Sequence, residues 1–177
     1  EEELAYAEEN GISIPIDVDS PYSIDENLWG RSVECGVLED PNVEPPKNVH
    51  ELVAPIDETL AEPEYVELEF EAGVPTKLNG DKMDLVSLIK ELTELAGNHG
   101  VGLIDMVEDR IVGLKSREIY ETPAAAVILK AHKELEKYCS TRHENEFKPF
   151  VDKKWSEMIY QGLAFDPLVS ELEAFID

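Results

Sequence analysis

Basic residues are scarce in this sequence: 15 lysines and arginines stand against 40 aspartates and glutamates, a formal net charge of −25. Nucleic-acid affinity comes largely from Lys and Arg that displace counterions from phosphates, so the imbalance argues against a DNA- or RNA-binding role. Cysteine is scarcer still. Cys35 and Cys139 are too few and too far apart to form a disulfide framework or a zinc site, and they read as free thiols of a reducing cytosol. The four histidines, His50, His99, His132 and His143, show no metal-ligand spacing. Long apolar runs are absent, none reaching the roughly 18 residues a bilayer span requires. No basic, then apolar, then small-residue leader opens the chain. These absences predict a cytoplasmic protein that neither crosses a membrane nor is exported.

What is present suits one domain, 1–177, since a chain of 177 residues buries roughly 70% of its unfolded surface on folding. Glu1, Glu2, Glu3, Leu4, Ala5, Tyr6 and Ala7 look like the middle of a helix without its cap, which suggests a piece of a longer protein. That helix is expected to stop at Asn10-Gly11, and residues 12–18 alternate as a half-buried edge strand does. Ser23 and Glu26 have the spacing of a capping box, predicting a short helical turn through Leu28. Residues 32–37 are β-like. Five prolines break every period between 41 and 63, so this stretch reads as a surface excursion that contributes little core.

Strict alternation over 65–70, a turn at Gly73, a return over 74–78 and the Asn79-Gly80 turn predict a hairpin or meander. Leu85, Leu88, Ile89 and Leu92 share a helical face over 84–96, with Asp84 as cap and Gly97 as terminator. Two strands follow, over 102–107 and 111–120. Thr122 and Pro123 then open a helix to about Tyr138, whose start at 124–129 is apolar all round and so buried on several sides. The last third is helical, with Val151, Trp155, Met158, Ile159 and Gly162 on one stripe and a final helix opening at Asp166-Pro167. Strands in the middle and helices grouped after them predict an α+β domain with an antiparallel or mixed sheet and no internal repeat. Gly97, Gly100 and Gly102 do not make a phosphate loop, because their spacing is wrong and they follow a helix rather than a strand.

Several blocks in one order carry a resemblance: ENGISIP, PYSIDENLWGRSVECGVLEDP, EFEAGVPTKLNG, HGVGLIDMVEDRIVGLKSREIYETP, AHKELEKY and FKPFVDKKWSEMIYQGL. Together they resemble argininosuccinate synthase, the ligase that joins L-citrulline to L-aspartate with ATP, giving argininosuccinate, AMP and diphosphate in arginine biosynthesis. The resemblance implies that Ser23, Ser32, Glu108 and Tyr120 contact citrulline. It implies ATP, with magnesium, as co-substrate, and a nucleotide site on an amino-terminal domain whose Ser-Gly-Gly-x-Asp loop this chain lacks. Groups for aspartate belong to the same missing part, and a carboxy-terminal oligomerising tail is expected beyond Asp177. The segment alone is therefore expected to be inactive, and the parent a homo-oligomer, a tetramer in the family. Leu103 stands where many relatives have arginine.

Residue chemistry suits such a ligand. A zwitterion needs an anion for its ammonium and hydroxyls for its other polar groups, because unpaired charge is costly to desolvate. Glu108 is the expected ammonium partner, with Ser23, Ser32 and Tyr120 supplying neutral hydrogen bonds. Taken alone, Ser23 reads as a helix cap, Ser32 as a turn residue and Glu108 as one solvated carboxylate among many. For Glu108 and Tyr120 to meet, the chain is expected to reverse across 112–116, near their midpoint, with Gly113 suited to the bend. The alternative is a non-catalytic acidic binding or oligomerisation domain on the same scaffold, any contact between copies using a patch such as Lys153-Lys154-Trp155.

Overall fold

The alternating stretches and turn dipeptides resolve into two antiparallel sheets in the computed structural model of the chain, which describes residues 2–13 and 21–176. In chain order the elements are α1 (Glu2–Glu9), β1 (Ser23–Asn27), β2 (Gly30–Glu34), β3 (Leu68–Glu71), β4 (Val74–Leu78), β5 (Asp81–Lys82), α2 (Leu85–Asn98), β6 (Leu103–Asp109), β7 (Lys115–Glu121), α3 (Pro123–Cys139), α4 (Arg142–Tyr160) and α5 (Pro167–Ile176). One sheet has the order β1-β2-β7-β6 and the other β3-β4-β5. The α+β expectation holds, with helices α3 to α5 grouped after the strands.

Two cores follow from the apolar periodicity. Leu88, Ile89 and Leu92 of α2 pack with Leu78 of β4 and with Ala124 and Ile128 of α3, closing the small sheet over the helices. Asp84 caps α2 as expected, its carboxylate accepting from the Val86 and Ser87 amides. The second core lies under the large sheet, where Val33 of β2 and Ile119 of β7 meet Leu38 and Val49.

The proline-rich stretch supplies more core than its composition suggested. Val49 and Val53 are buried, because Glu121, 0% exposed, accepts from the backbone amides of Glu51, Leu52 and Val53 at 2.9–3.1 Å. Arg31, also buried, donates to Glu121 at 2.9 Å and to the Val49 carbonyl at 2.7 Å. A buried charge with these partners ties an otherwise irregular segment to the sheet.

Other expectations are corrected. Ser23 begins an exposed strand, not a helical turn: pairing of β1 with β2 from Ser23↔Glu34 to Asn27↔Gly30 overrides the local capping pattern. Gly97 does not end α2. It sits inside the helix, where an added Cβ would lie 2.0 Å from the Leu52 carbonyl oxygen, so its role is close packing. The helix ends instead at Gly100, φ +72°, with Gly100 N–H donating to Gly97 O and Val101 N–H to Ala96 O. Thr122 is the residue before α3, but its side chain makes no capping bond; the hydroxyl points to the Gly102 carbonyl at 3.4 Å. Leu129 is 68% exposed, so the apolar start of α3 is not buried all round. In the predicted strand over 12–18, Ile12 and Ser13 are in no strand and the rest lies outside the described residues.

Candidate functional site

Strand register decides which side chains can meet. Opposed residues in an antiparallel pair share a face and alternate residues follow them. Ser32 opposes Tyr120 and also Asp25, and Ser23 opposes Glu34, so these residues lie on one face of the large sheet. Tyr120 opposes Ile104 and Glu108 opposes Ser116, which places Glu108 on that same face. All four expected ligand contacts thus share the face opposite Val33 and Ile119. On β1, β2 and β7 it is polar, and β6 adds the exposed Ile104 and Met106 to it.

Two of the four touch. The Tyr120 hydroxyl lies 2.7 Å from Glu108 Oε2. The geometry differs from the expected one, since the chain reverses over 110–114 and not across 112–116. Gly113 adopts φ +80° there, and the turn closes through Arg110 N–H to Leu114 O at 3.0 Å and Gly113 N–H to Arg110 O at 2.8 Å. Glu108 and Tyr120 are consequently not cross-strand partners. Tyr120 lies four residues from Ser116, roughly 14 Å of strand at about 3.4 Å per residue, and the long phenol and carboxylate side chains lean together across that gap. Ser32 joins them through its register with Tyr120. Ser23 is two residues further out on an exposed strand and makes no side-chain hydrogen bond among the described residues.

Residues the sequence reading passed over complete the cluster. Glu118, between Ser116 and Tyr120 on their face, accepts from the Tyr120 hydroxyl at 2.7 Å, the Ser116 hydroxyl at 2.8 Å and Arg110 Nη2 at 2.8 Å. Arg110 also pairs with Glu34, and its Nε donates to Ser116 Oγ at 2.9 Å. Tyr160, at the end of α4, donates to the second oxygen of Glu108. Period-two alternation alone was enough to put Glu118 beside Tyr120; Arg110 depends on the turn and had no such signal.

Electrostatically the face is short of cations, with Glu34, Glu108 and Glu118 around the single guanidinium of Arg110. Burial pushes the Glu118 carboxyl up, but hydrogen bonds from Tyr120, Ser116 and Arg110 prevail and hold it below the usual carboxylate range. Burial, then the hydrogen bonds to Glu118 and Glu108, push the Tyr120 phenol far up, so it stays protonated. Such a cluster can bind a small cation-bearing ligand and orient it. It offers no activated nucleophile. Among the described residues no group of three or more His, Cys, Asp or Glu side chains is arranged to hold a metal ion.

A concavity of about 930 Å³ lies elsewhere, between α3, α4 and α5, lined among others by His132, Lys148, Trp155 and Glu173. Within it Lys148 pairs with Glu136 at 2.9 Å and Asp152 at 2.8 Å, and the Trp155 indole donates to Glu173 at 3.2 Å.

Comparison with known proteins covers nearly the whole chain. The family described as the arginosuccinate synthase C-terminal domain matches residues 22–177. Argininosuccinate synthase of Methanopyrus kandleri is 55% identical over 177 residues, covering 100% of this chain and 45% of that protein. Those of Bacillus cereus strain B4264 and Bacillus mycoides strain KBAB4 are 55% and 56% identical over 176 residues, 99% of this chain and 44% of each relative. The chain spans less than half the length of these curated relatives.

Proposed function

Because the chain belongs to the argininosuccinate synthase family, matching its C-terminal domain over residues 22–177, we propose that it is the citrulline-binding part of an ATP-dependent carbon–nitrogen ligase of arginine biosynthesis. Ser23, Ser32, Glu108 and Tyr120 hold L-citrulline in this reading. ATP, with magnesium, and L-aspartate are taken by protein corresponding to the remainder of the relatives' length, and the segment alone turns over nothing. Assembly into a homotetramer in the cytoplasm belongs to the same proposal.

The observation that carries it is the contact of Tyr120 with Glu108 at 2.7 Å on a face where Arg110 pairs with Glu34 and Glu118 and leaves Glu108 without a cation among the described residues. An α-ammonium supplies the missing positive charge, and the serine hydroxyls of β1 and β2, on the same face by register, take the remaining polar groups of the ligand in this reading. Isothermal calorimetry of the chain with L-citrulline tests this. Binding that disappears in Glu108→Gln, with the circular dichroism spectrum unchanged, is expected; a folded chain that takes up no citrulline at millimolar concentration counts against it.

A second reading, a non-catalytic acidic assembly domain, draws on the groove between α3, α4 and α5 and on Phe147, Phe150 and Phe175, which are exposed beside it. A folded chain that ignores citrulline yet self-associates favours that reading.

A further inference from the structure

One phenol stands between two carboxylates. Tyr120 Oη is 2.7 Å from Glu108 Oε2 and 2.7 Å from Glu118 Oε2. A phenol carries a single proton, so only one of these contacts can be a hydrogen bond donated by Tyr120. The surroundings of the two carboxylates decide which.

Glu118 has its side chain only 6% exposed. Its Oε1 accepts from Ser116 Oγ and from Arg110 Nη2, each at 2.8 Å, and these donors keep it ionised. Ser116 can donate to it because Arg110 Nε already supplies the proton that Ser116 Oγ accepts. Among the described residues, Tyr120 is the one donor within reach of Glu118 Oε2. If the phenol turned its proton to Glu108, that oxygen would be left in a buried position with no donor, the expensive outcome for an anion. Glu108 is less buried, already receives Tyr160 on Oε1, and can meet solvent or a ligand with Oε2.

We propose that Glu118 is a positioning residue: it takes the Tyr120 proton, and so turns the phenol oxygen toward the ligand as a hydrogen-bond acceptor. Tyr120 and Glu108 then present two acceptor oxygens 2.7 Å apart. Facing lone pairs at that distance repel until a donor bridges them or they separate. A group with several N–H bonds and a positive charge satisfies both oxygens at once, whereas a hydroxyl or a carboxylate does not. The cradle therefore selects for a ligand's α-ammonium group and discriminates against the same molecule without it. The nature of the ligand rests on the citrulline reading; the direction of the phenol proton does not.

The two parts separate experimentally in the 177-residue chain. With tyrosine labelled at Cζ, the Tyr120 hydroxyl proton is assigned by its loss in Tyr120→Phe, and nuclear Overhauser contacts from it to the Glu118 methylenes are expected. Contacts to the Glu108 methylenes instead overturn the proposal, and this reading needs no Glu118 variant to fold. Calorimetry then compares L-citrulline with its des-amino analogue in wild type and in Glu118→Gln. The variant should weaken L-citrulline by about tenfold or more, the equivalent of one hydrogen bond to a charged group, and leave the analogue little changed. Equal weakening of both would mean that Glu118 only supports the fold, and would sink the proposal. Should wild type bind neither compound while the hydroxyl proton sits on Glu118, the citrulline assignment fails and the proton assignment stands.

Discussion

Replacing Glu121 by alanine should destabilise this chain more than any surface change, and the structure says by how much. The carboxylate is fully buried and accepts from the amides of residues 51, 52 and 53 and from Arg31 Nη1. Removing it leaves a guanidinium that is 7% exposed, with Glu26 at 3.2 Å and Glu51 at 3.4 Å as remaining anions. It also leaves amides that were bonded to a charge. Breaking a buried pair from one side costs about 3–5 kcal/mol, out of a total stability of about 5–15 kcal/mol for a domain. Glu121→Gln keeps one acceptor oxygen and should lose about half as much. Urea unfolding followed by circular dichroism measures the loss, and hydrogen exchange at residues 51–53 locates it. If Glu121→Ala lost less than about 1 kcal/mol and those amides stayed protected, the claim that this side chain fastens the irregular segment would be wrong. Replacing Arg31 as well, by Met, should restore part of the loss, since the stranded cation goes too.

Gly97→Ala places a Cβ 2.0 Å from the Leu52 carbonyl oxygen, backbone that cannot swing aside. Despite the better helix propensity of alanine, it should lower stability by about 2 kcal/mol or more, and a stability equal to wild type would refute the packing argument. Glu118 gives a pH signature. Its folded carboxyl lies below its ordinary 4.5, so its contribution is complete above that value and disappears as pH falls through the lowered one. Thermal melts from neutral to pH about 3 should show wild type losing stability more steeply than Glu118→Gln in that acid window; parallel curves would refute it.

Much of the fold was legible because its signals were local and redundant. The apolar stripe of α2 and the cap at Asp84 agree with each other, as do the turns that close the small sheet. Ser23 was misread because serine with glutamate three residues on suits a helix start, and only pairing with β2, a tertiary fact, makes it a strand. Gly97 shows the same limit: a glycine near a helix end fits termination and close approach equally until Leu52 is in place. For the site, Glu108 and Tyr120 came from the family resemblance, since Glu108 alone reads as one solvated carboxylate among many, and their shared face follows from register. The argument that they must oppose each other failed because it reckoned with backbone spacing and ignored the reach of leaning side chains. Glu118 was within reach of simple alternation, while Arg110 and Tyr160 enter from a turn and a distant helix that no pattern in β7 announces.

The strand order β1-β2-β7-β6 leaves both outer strands of the large sheet without neighbours among the described residues. β1 carries Asp25 and Glu26, and β6 carries Asp105, Glu108 and Asp109 among exposed apolar side chains such as Ile104 and Val107. At neutral pH two copies offering these rims to each other bring like charges together, so intermolecular zippering is opposed by repulsion. Salt screens that repulsion while leaving the edge amides and carbonyls in place, which makes edge-to-edge association at high ionic strength the expected failure mode of this domain.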